Sequence, residues 1–287
     1  MIHCYKNNGF HIVLDVNSGA VHVVDEMVYD LIPALEECIV SGAEENVVFE
    51  KAFSLNLSYG KEEIKEAVSE ILELKEAGML YSEDIYEPYI DSFKNRETVV
   101  KALCLHIAHD CNLACKYCFA EEGEYHGRRA LMSFEVGKKA LDFLVANSGN
   151  RVNLEVDFFG GEPLMNFDVV KQLVEYGRTL EEPNNKKFRF TLTTNGVLLN
   201  QDIIDFANKE MANVVLSIDG RKEVHDFMRP RRGGQGSYDE IVPKFEKVAE
   251  SRNQMDYYVR GTFTHHNLDF SEDVLHLADL GFKQISV

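Results

Sequence analysis

Residues 101–118, KALCLHIAHDCNLACKYC, combine a strand-like run with three closely spaced cysteines. The first eight residues of the stretch are mostly apolar and predict a buried strand. Cys111, Cys115 and Cys118 follow at once, separated by three and then two residues. Thiolates are soft ligands that favour zinc, copper(I) or iron–sulfur clusters. The stretch therefore predicts a metal site at the end of a strand.

Three interpretations of these cysteines are open. A structural zinc site needs a fourth ligand, which Cys104, His106 or His109 could supply, although the chain has no second pair of cysteines separated by two residues. Buried thiols without a metal are a second interpretation. Three thiolates on a four-iron cluster would leave one iron free for another ligand, which suits catalysis. We favour the iron–sulfur cluster on this ground.

Strands and helices alternate from residue 99 onward. Predicted strands cover 101–108, 152–159, 188–194, 213–219, 257–264 and 284–287, and predicted helices cover 133–148, 168–180, 201–209, 238–251 and 271–281. This order implies an α/β fold with a parallel sheet and right-handed crossovers. Six strands predict a partial (β/α)6 barrel with its active site at the carboxyl ends of the strands. Val287 falls inside the sixth predicted strand, so we expect a truncated sequence.

The first 90 residues predict a separate small α+β unit. Two β-branched runs, at 10–16 and 20–25, flank an Asn-Ser-Gly turn and predict a hairpin. Apolar residues at helical spacing predict helices at 26–39 and 61–78. A hairpin with two or three helices suits a winged-helix-like module.

Charge supports the same division. Residues 1–90 hold 5 Lys and Arg against 18 Asp and Glu, which gives −13 of the net charge of −18. We therefore predict domains at 1–90 and 91–287. The acidic surface of the first domain fits either simple solvation or recognition of a partner.

Composition excludes several classes of protein. The net charge argues against a nucleic-acid partner held by phosphate contacts. No apolar run approaches the roughly 18 residues of a membrane span, and the N-terminus lacks the apolar core of a secretion signal. We expect a cytoplasmic protein without membrane contact, in which six cysteines are not a disulfide framework.

Four polar motifs follow the predicted strands. They are Gly160-Gly161-Glu162-Pro163, Thr193-Thr194-Asn195-Gly196, Ser217-Ile218-Asp219-Gly220 and His225-Asp226-Phe227-Met228-Arg229. Paired glycines permit close backbone approach, and an arginine offers a forked contact to a carboxylate. Each motif taken alone also fits an ordinary turn, an Asx cap or a solvated loop.

Taken together, the cysteines and these motifs resemble the radical S-adenosylmethionine (SAM) enzymes over about 101–264. The resemblance implies a [4Fe-4S] cluster held by Cys111, Cys115 and Cys118, and SAM in contact with Tyr117, Gly160, Gly161, Glu162, Thr194, Asn195, Ser217, Asp219 and Arg229. The Gly-Gly-Glu segment would hold the ammonium group of SAM, and Arg229 its carboxylate. We assign no acid–base residue, because reductive cleavage to a 5′-deoxyadenosyl radical does not need one.

The N-terminal unit narrows the expected substrate. Ahead of a radical SAM barrel, it resembles modules that bind the leader of a ribosomal precursor peptide by strand addition. More narrowly, residues 11–30 resemble the start of maturases for six-Cys-in-forty-five peptides, which join a cysteine sulfur to a carbon as a thioether. That family carries a C-terminal SPASM domain with auxiliary clusters, whereas no cysteine follows Cys118 here. A low-potential electron donor is implied as a second partner.

Two other functions compete with the thioether-forming maturase. One is another radical SAM maturase, of the type that forms formylglycine in sulfatases. The other is a zinc-stabilised peptide-binding protein without redox activity.

Two smaller expectations concern strand faces and the other cysteines. In 152–159 the polar residues Asn153, Glu155 and Asp157 alternate with apolar ones, so both carboxylates should face away from the helices. We expect Cys104 to be packed within its strand.

Overall fold

The structure, a computed structural model, describes residues 1–55, 58–94 and 98–287. The chain divides into two compact units, Met1–Glu97 and Thr98–Val287. Within the described ranges, no helix combines the length and apolar character needed to cross a bilayer.

The first unit is an antiparallel sheet followed by helices. Its elements are β1 (Ile2–Asn7), β2 (Phe10–Asp15), β3 (Val21–Val24), α1 (Glu26–Val40), α2 (Glu45–Ser54), α3 (Lys61–Glu76) and α4 (Ile90–Lys94). The sheet order is β1-β2-β3. The predicted hairpin is confirmed as β2–β3, with Gly19 at φ +77° in its turn. β1 and α2 were not predicted.

Apolar faces of the helices form the core of the first unit. Leu31, Ile32 and Leu35 on α1 are fully buried, as are Val68 and Ile71 on α3. Their spacing of three and four residues puts each set on one face of its helix. This is the periodicity that predicted both helices.

The second unit alternates strands and helices around one sheet. Its elements are β4 (Ala102–His109), β5 (Ala130–Leu131), α5 (Phe134–Ala146), β6 (Asn153–Gly160), α6 (Phe167–Asn184), β7 (Lys187–Thr194), α7 (Gln201–Glu210), β8 (Met211–Ser217), α8 (Lys222–Met228), α9 (Tyr238–Ser251), β9 (Tyr257–Arg260), α10 (Phe270–Asp279) and β10 (Ile285–Ser286). The sheet order is β10-β9-β8-β7-β6-β4-β5. Every neighbouring pair is parallel except β4–β5. The predicted parallel sheet is confirmed, and its carboxyl ends meet along one edge.

One face of this sheet is buried against the helices, and the other is polar. On β6, Leu154, Val156 and Phe158 are buried, whereas Glu155 and Asp157 point to the opposite face and are only partly buried. The predicted alternation is therefore confirmed. Cys104, by contrast, is exposed, so the expectation of a packed thiol is wrong. It pairs in register with Asp157 and so shares the polar face.

β9 is shorter than predicted. The strand was expected to reach residue 264 but ends at Arg260. Beyond it, the Thr262 N–H donates to the Asp219 carboxylate at 3.2 Å. The main chain at Thr262 therefore bonds to a side chain that follows β8.

Candidate active site

The three cysteines lie on a loop that begins where β4 ends. The Asp110 carboxylate accepts the Cys111 N–H at 2.9 Å. Further along the loop, the Ala114 N–H donates to the Pro230 carbonyl at 2.8 Å, and the Lys116 N–H donates to the Met228 carbonyl at 2.9 Å. Main-chain bonds to the last residue of α8 and to the segment after it therefore hold the loop, independently of what the thiols bind.

A cavity of about 400 Å³ lies at the carboxyl edge of the sheet beside this loop. Ten of the predicted site residues line it: Cys111, Cys115, Tyr117, Cys118, Gly160, Gly161, Thr194, Asn195, Ser217 and Arg229. Glu162 and Asp219 do not line it and stand behind its wall. The structure thus brings together residues at or just beyond the ends of β4, β6, β7, β8 and α8, because parallel strands end at one edge.

The paired glycines allow β6 to end directly beneath the thiol loop. A Cβ on Gly160, whose φ is +121°, would lie 2.5 Å from the Ala108 carbonyl oxygen. A Cβ on Gly161 would lie 2.2 Å from the Asp110 carbonyl oxygen. The Gly161 N–H donates to the Ala108 carbonyl at 2.8 Å. Only glycine permits this approach, as the sequence suggested.

Glu162 is fully buried and joins the ends of two strands. Its carboxylate accepts the Leu164 N–H at 3.0 Å, the Thr194 hydroxyl at 2.8 Å and the Asn195 N–H at 2.8 Å. Burial raises the pKa of Glu162, while these hydrogen bonds and the charge of Arg229 act against the rise. The carboxylate therefore fixes the turn that follows β7.

A buried network joins the thiol loop to α8. The Tyr117 hydroxyl donates to Asp219 at 2.8 Å, and Arg229 Nη1 donates to the Tyr117 oxygen at 2.7 Å. Burial raises the pKa of Asp219, opposed chiefly by the charge of Arg229. Burial alone would lower the pKa of Arg229, but Cys115, Tyr117 and Asp219 raise it above its usual value. The guanidinium therefore stays charged.

Arg229 keeps one donor for a ligand. Its side chain is buried, and its Nε atom has no hydrogen-bond partner. An unpaired buried donor costs free energy, so an acceptor from a bound molecule would stabilise it. Arg229 also lines the cavity, and a guanidinium fits an anionic group of a cofactor.

His225 supports this network from behind. Its Nδ1 accepts the Asp219 N–H at 3.3 Å, and its Nε2 lies 2.9 Å from the Ser237 hydroxyl. That hydroxyl donates to the Arg229 carbonyl at 3.1 Å, so it receives the proton of Nε2. Burial, and then the charge of Arg229, lower the pKa of His225 to about 3. A neutral imidazole therefore positions Asp219 and Arg229.

The three cysteine thiols line the cavity but are not arranged around a single metal ion. Within the described parts of the chain, no group of three His, Cys, Asp or Glu side chains is placed to hold a single metal ion. His106 and His109 instead pack on Tyr125, at ring distances of 4.5 and 4.8 Å. Burial, and then Glu162, raise the pKa of Cys111 to about 12. A bound metal would have to displace this proton, and a soft thiolate trio fits an iron–sulfur cluster.

Several cavity residues escaped the sequence analysis. Phe119, Phe159, Arg260 and Thr262 also line the cavity. Arg260 and Thr262 lie at the carboxyl end of β9, and the rule that active sites lie at strand ends could have found them. Phe119 directly follows the last cysteine of the loop but carries no chemical signal in the sequence.

Comparisons with known proteins agree with this site. The Radical SAM superfamily profile matches residues 105–278. The uncharacterized protein MJ0907 of Methanocaldococcus jannaschii is 31% identical over 65% of this chain and 62% of its own length. The cysteine-type anaerobic sulfatase-maturating enzyme of Clostridium novyi is 29% identical, over 52% of this chain and 40% of the enzyme. The radical SAM cyclopropyl synthase TigE of Paramaledivibacter caminithermalis is 24% identical, over 59% and 38%.

Solved structures share the fold. The structure of anSMEcpe with bound AdoMet superposes with a TM-score of 0.57 at 22% identity, over 66% of this chain and 50% of that one. Its complex with AdoMet and the Cp18Cys peptide gives a TM-score of 0.56 at 23% identity, over the same shares. The chain spans less than two thirds of the length of these relatives.

Members of the superfamily use a [4Fe-4S] cluster and S-adenosylmethionine. The matched profile covers more than half of the sequence and includes the cysteine loop, the paired glycines and Arg229. The chain belongs to the radical SAM superfamily.

Proposed function

We propose that Cys111, Cys115 and Cys118 hold the [4Fe-4S] cluster and that SAM binds beside them in the cavity. The second unit would then be an open (β/α)6 barrel. The observation that carries this proposal is the convergence of three thiols on one cavity of about 400 Å³ that also contains a buried, charged Arg229. When bound, the cluster supplies the electron that cleaves SAM to a 5′-deoxyadenosyl radical.

The chain's own residues orient the cofactor. Arg229 Nε, which has no partner, would donate to the SAM carboxylate. Ser217, at the end of β8, would contact the ribose, and Gly160 and Gly161 would leave room for the ammonium group. Tyr117 and Asp219 would hold Arg229 in place through the network above, and Thr194 would act through Glu162, to which its hydroxyl is committed.

We further propose that the enzyme is a peptide maturase, with residues 1–90 as a winged-helix-like domain that binds a precursor leader. β3 pairs only with β2 among the described strands, which leaves an edge open to strand addition. Val21 and Val23 on this strand are 61% and 65% exposed. A peptide added to the edge would cover these side chains.

The preferred reaction is thioether formation between a precursor cysteine and a carbon atom. The similarity of residues 11–30 to thioether-forming maturases supports it. Formylglycine formation is the second candidate, favoured by the relative named as a sulfatase-maturating enzyme. A zinc-stabilised peptide-binding protein is a third, and it predicts zinc uptake without iron.

The decisive first experiment is anaerobic reconstitution with iron and sulfide, followed by incubation with SAM and dithionite. We expect about four irons per chain, a broad absorption that bleaches on reduction, and release of 5′-deoxyadenosine. Stoichiometric zinc with no iron would refute the radical SAM assignment. Mass spectrometry of a co-expressed cysteine-rich precursor then separates the reactions, because each thioether removes two hydrogens and consumes one thiol.

A further inference from the structure

Asn195 is held in one orientation behind the thiol loop. It follows β7 and is only 5% exposed. Its main-chain N–H donates to the Glu162 carboxylate at 2.8 Å. Its side-chain oxygen accepts the Val197 N–H at 3.1 Å. With the oxygen engaged in this turn, the amide nitrogen must point the other way, toward the thiol loop.

That nitrogen reaches the first cluster cysteine. Asn195 Nδ2 lies 2.7 Å from the Asn112 side-chain oxygen and 3.6 Å from Cys111 Sγ. The Leu113 N–H, at 3.5 Å, is a second donor to the same sulfur. Two N–H groups from different parts of the chain therefore converge on one thiol in a largely buried setting, where hydrogen bonds to charged groups are strong.

We propose that Asn195 is a positioning residue that raises the reduction potential of the cluster by donating a hydrogen bond to the Cys111 sulfur. The proposal rests on the proposed function, since it assumes a cluster on this sulfur. Hydrogen bonds to ligand sulfurs favour the reduced cluster, which carries one more negative charge. Glu162 contributes indirectly, because it fixes the backbone from which the amide extends.

The test is the midpoint potential of the anaerobically reconstituted protein, measured by dye-mediated titration monitored by electron paramagnetic resonance, without SAM. Asn195→Ser keeps a hydroxyl that can accept the Val197 N–H but is too short to reach the sulfur. Its potential should be more negative than that of the unchanged chain. Asn200→Ala is the matched control. Like Asn195, Asn200 accepts a main-chain N–H with its side-chain oxygen, that of Ile203 at 3.0 Å, as the N-cap of α7.

Asn195→Gln provides a second variant, which retains an amide donor on a longer side chain. Its midpoint potential should lie between those of Asn195→Ser and the unchanged chain. Retention of the cluster by Asn195→Gln but not by Asn195→Ser would also support the donor role. A potential of Asn195→Ser equal to that of the unchanged chain, at equal iron content, would overturn the proposal. A shift of the midpoint potential in Asn200→Ala equal to that in Asn195→Ser would also overturn the proposal. Loss of iron from both Asn195 variants would overturn it as well. Failure of the unchanged chain to take up iron would instead overturn the proposed function.

Discussion

The two units bury polar groups in different ways. Among the described residues of the first unit, Asp15 is the buried charged or polar side chain. In the second unit the buried polar residues are Ser148, Glu162, Thr194, Asn195, Asp219, His225, Arg229, Ser237, Asn267 and Asp273. Four of these, Glu162, Thr194, Asn195 and Asp219, lie at the carboxyl ends of strands or just beyond them.

The partners of these groups explain the difference. Asp15 accepts the N–H groups of Asn17 and Ser18 in its own turn, and the N–H and hydroxyl of Ser82. It closes a hairpin and needs no ligand. Glu162 and Asp219 also bond to distant residues, but they lie beside the cavity, where Arg229 Nε has no partner. Buried charge next to a cavity and an unpaired donor marks a site, whereas buried charge with all its partners within the fold marks a support.

The largest effect should come from the thiols themselves. Replacing Cys111, Cys115 or Cys118 by Ala should abolish iron uptake and 5′-deoxyadenosine release, because each thiolate would hold one iron of the cluster. Iron and sulfide analysis with chromatography of the nucleoside measures this. Cys104→Ala is the control, since this exposed thiol lies on β4 outside the cavity. Normal iron content in a variant of the trio would contradict its assignment.

The second largest effect should follow removal of the Glu162 charge. Glu162→Gln replaces one acceptor oxygen by a donor and leaves a buried N–H or O–H group unpaired, which should lower the free energy of unfolding by about 3 kcal/mol. Urea denaturation followed by circular dichroism measures this. Glu155→Gln, on the polar face of β6 beside Lys101, should change the free energy of unfolding by less than about 0.5 kcal/mol. Similar losses in both variants would mean that Glu162 has no special role.

His225 should give the second unit a pH dependence. Its folded pKa of about 3 lies below the unfolded value of about 6.5, so the unfolded state binds the proton first as pH falls. The stabilising contribution is complete above pH 6.5 and shrinks toward pH 3, by about 2 kcal/mol at pH 5. Between pH 8 and pH 5 the unfolding free energy of the unchanged chain should therefore fall by about 2 kcal/mol more than that of His225→Gln. Parallel profiles would refute a buried neutral histidine.

The smallest effect should come from the support in the first unit. Burial alone would raise the pKa of Asp15, but its hydrogen bonds from Ser82, Ser18 and Asn17 lower it below the usual value. Asp15→Asn should cost about 1 kcal/mol of stability, because it weakens the bonds to Ser82. Hydrogen exchange should increase in the β2–β3 turn while iron content stays unchanged. Loss of iron from Asp15→Asn would contradict this difference between the two units. Asp30→Asn, at an exposed position, is the control for the loss of a negative charge.

Much of the fold was predictable because periodicity is a local property. Period two in 152–159 identified the buried face of β6, and all six parallel strands appear near their predicted positions. The errors also have local causes. β5 is two residues long, and α8 is a single short helix of seven residues, so neither produces a clear period. The early end of β9, by contrast, is not explained locally: beyond it, the Thr262 N–H donates to Asp219, which follows β8.

The sequence by itself determined the thiol spacing and the alternation of strands and helices that collects polar motifs at one edge. It also indicated, through its paired glycines, a close approach of two backbone segments. Only the tertiary structure decided that Glu162 and Asp219 stand behind the cavity wall, that Cys104 is exposed, and that Asn195 reaches the Cys111 sulfur. The reason is physical. Alternation assigns a side chain to a face, whereas its partners depend on the register and separation of strands that lie tens of residues apart in the chain.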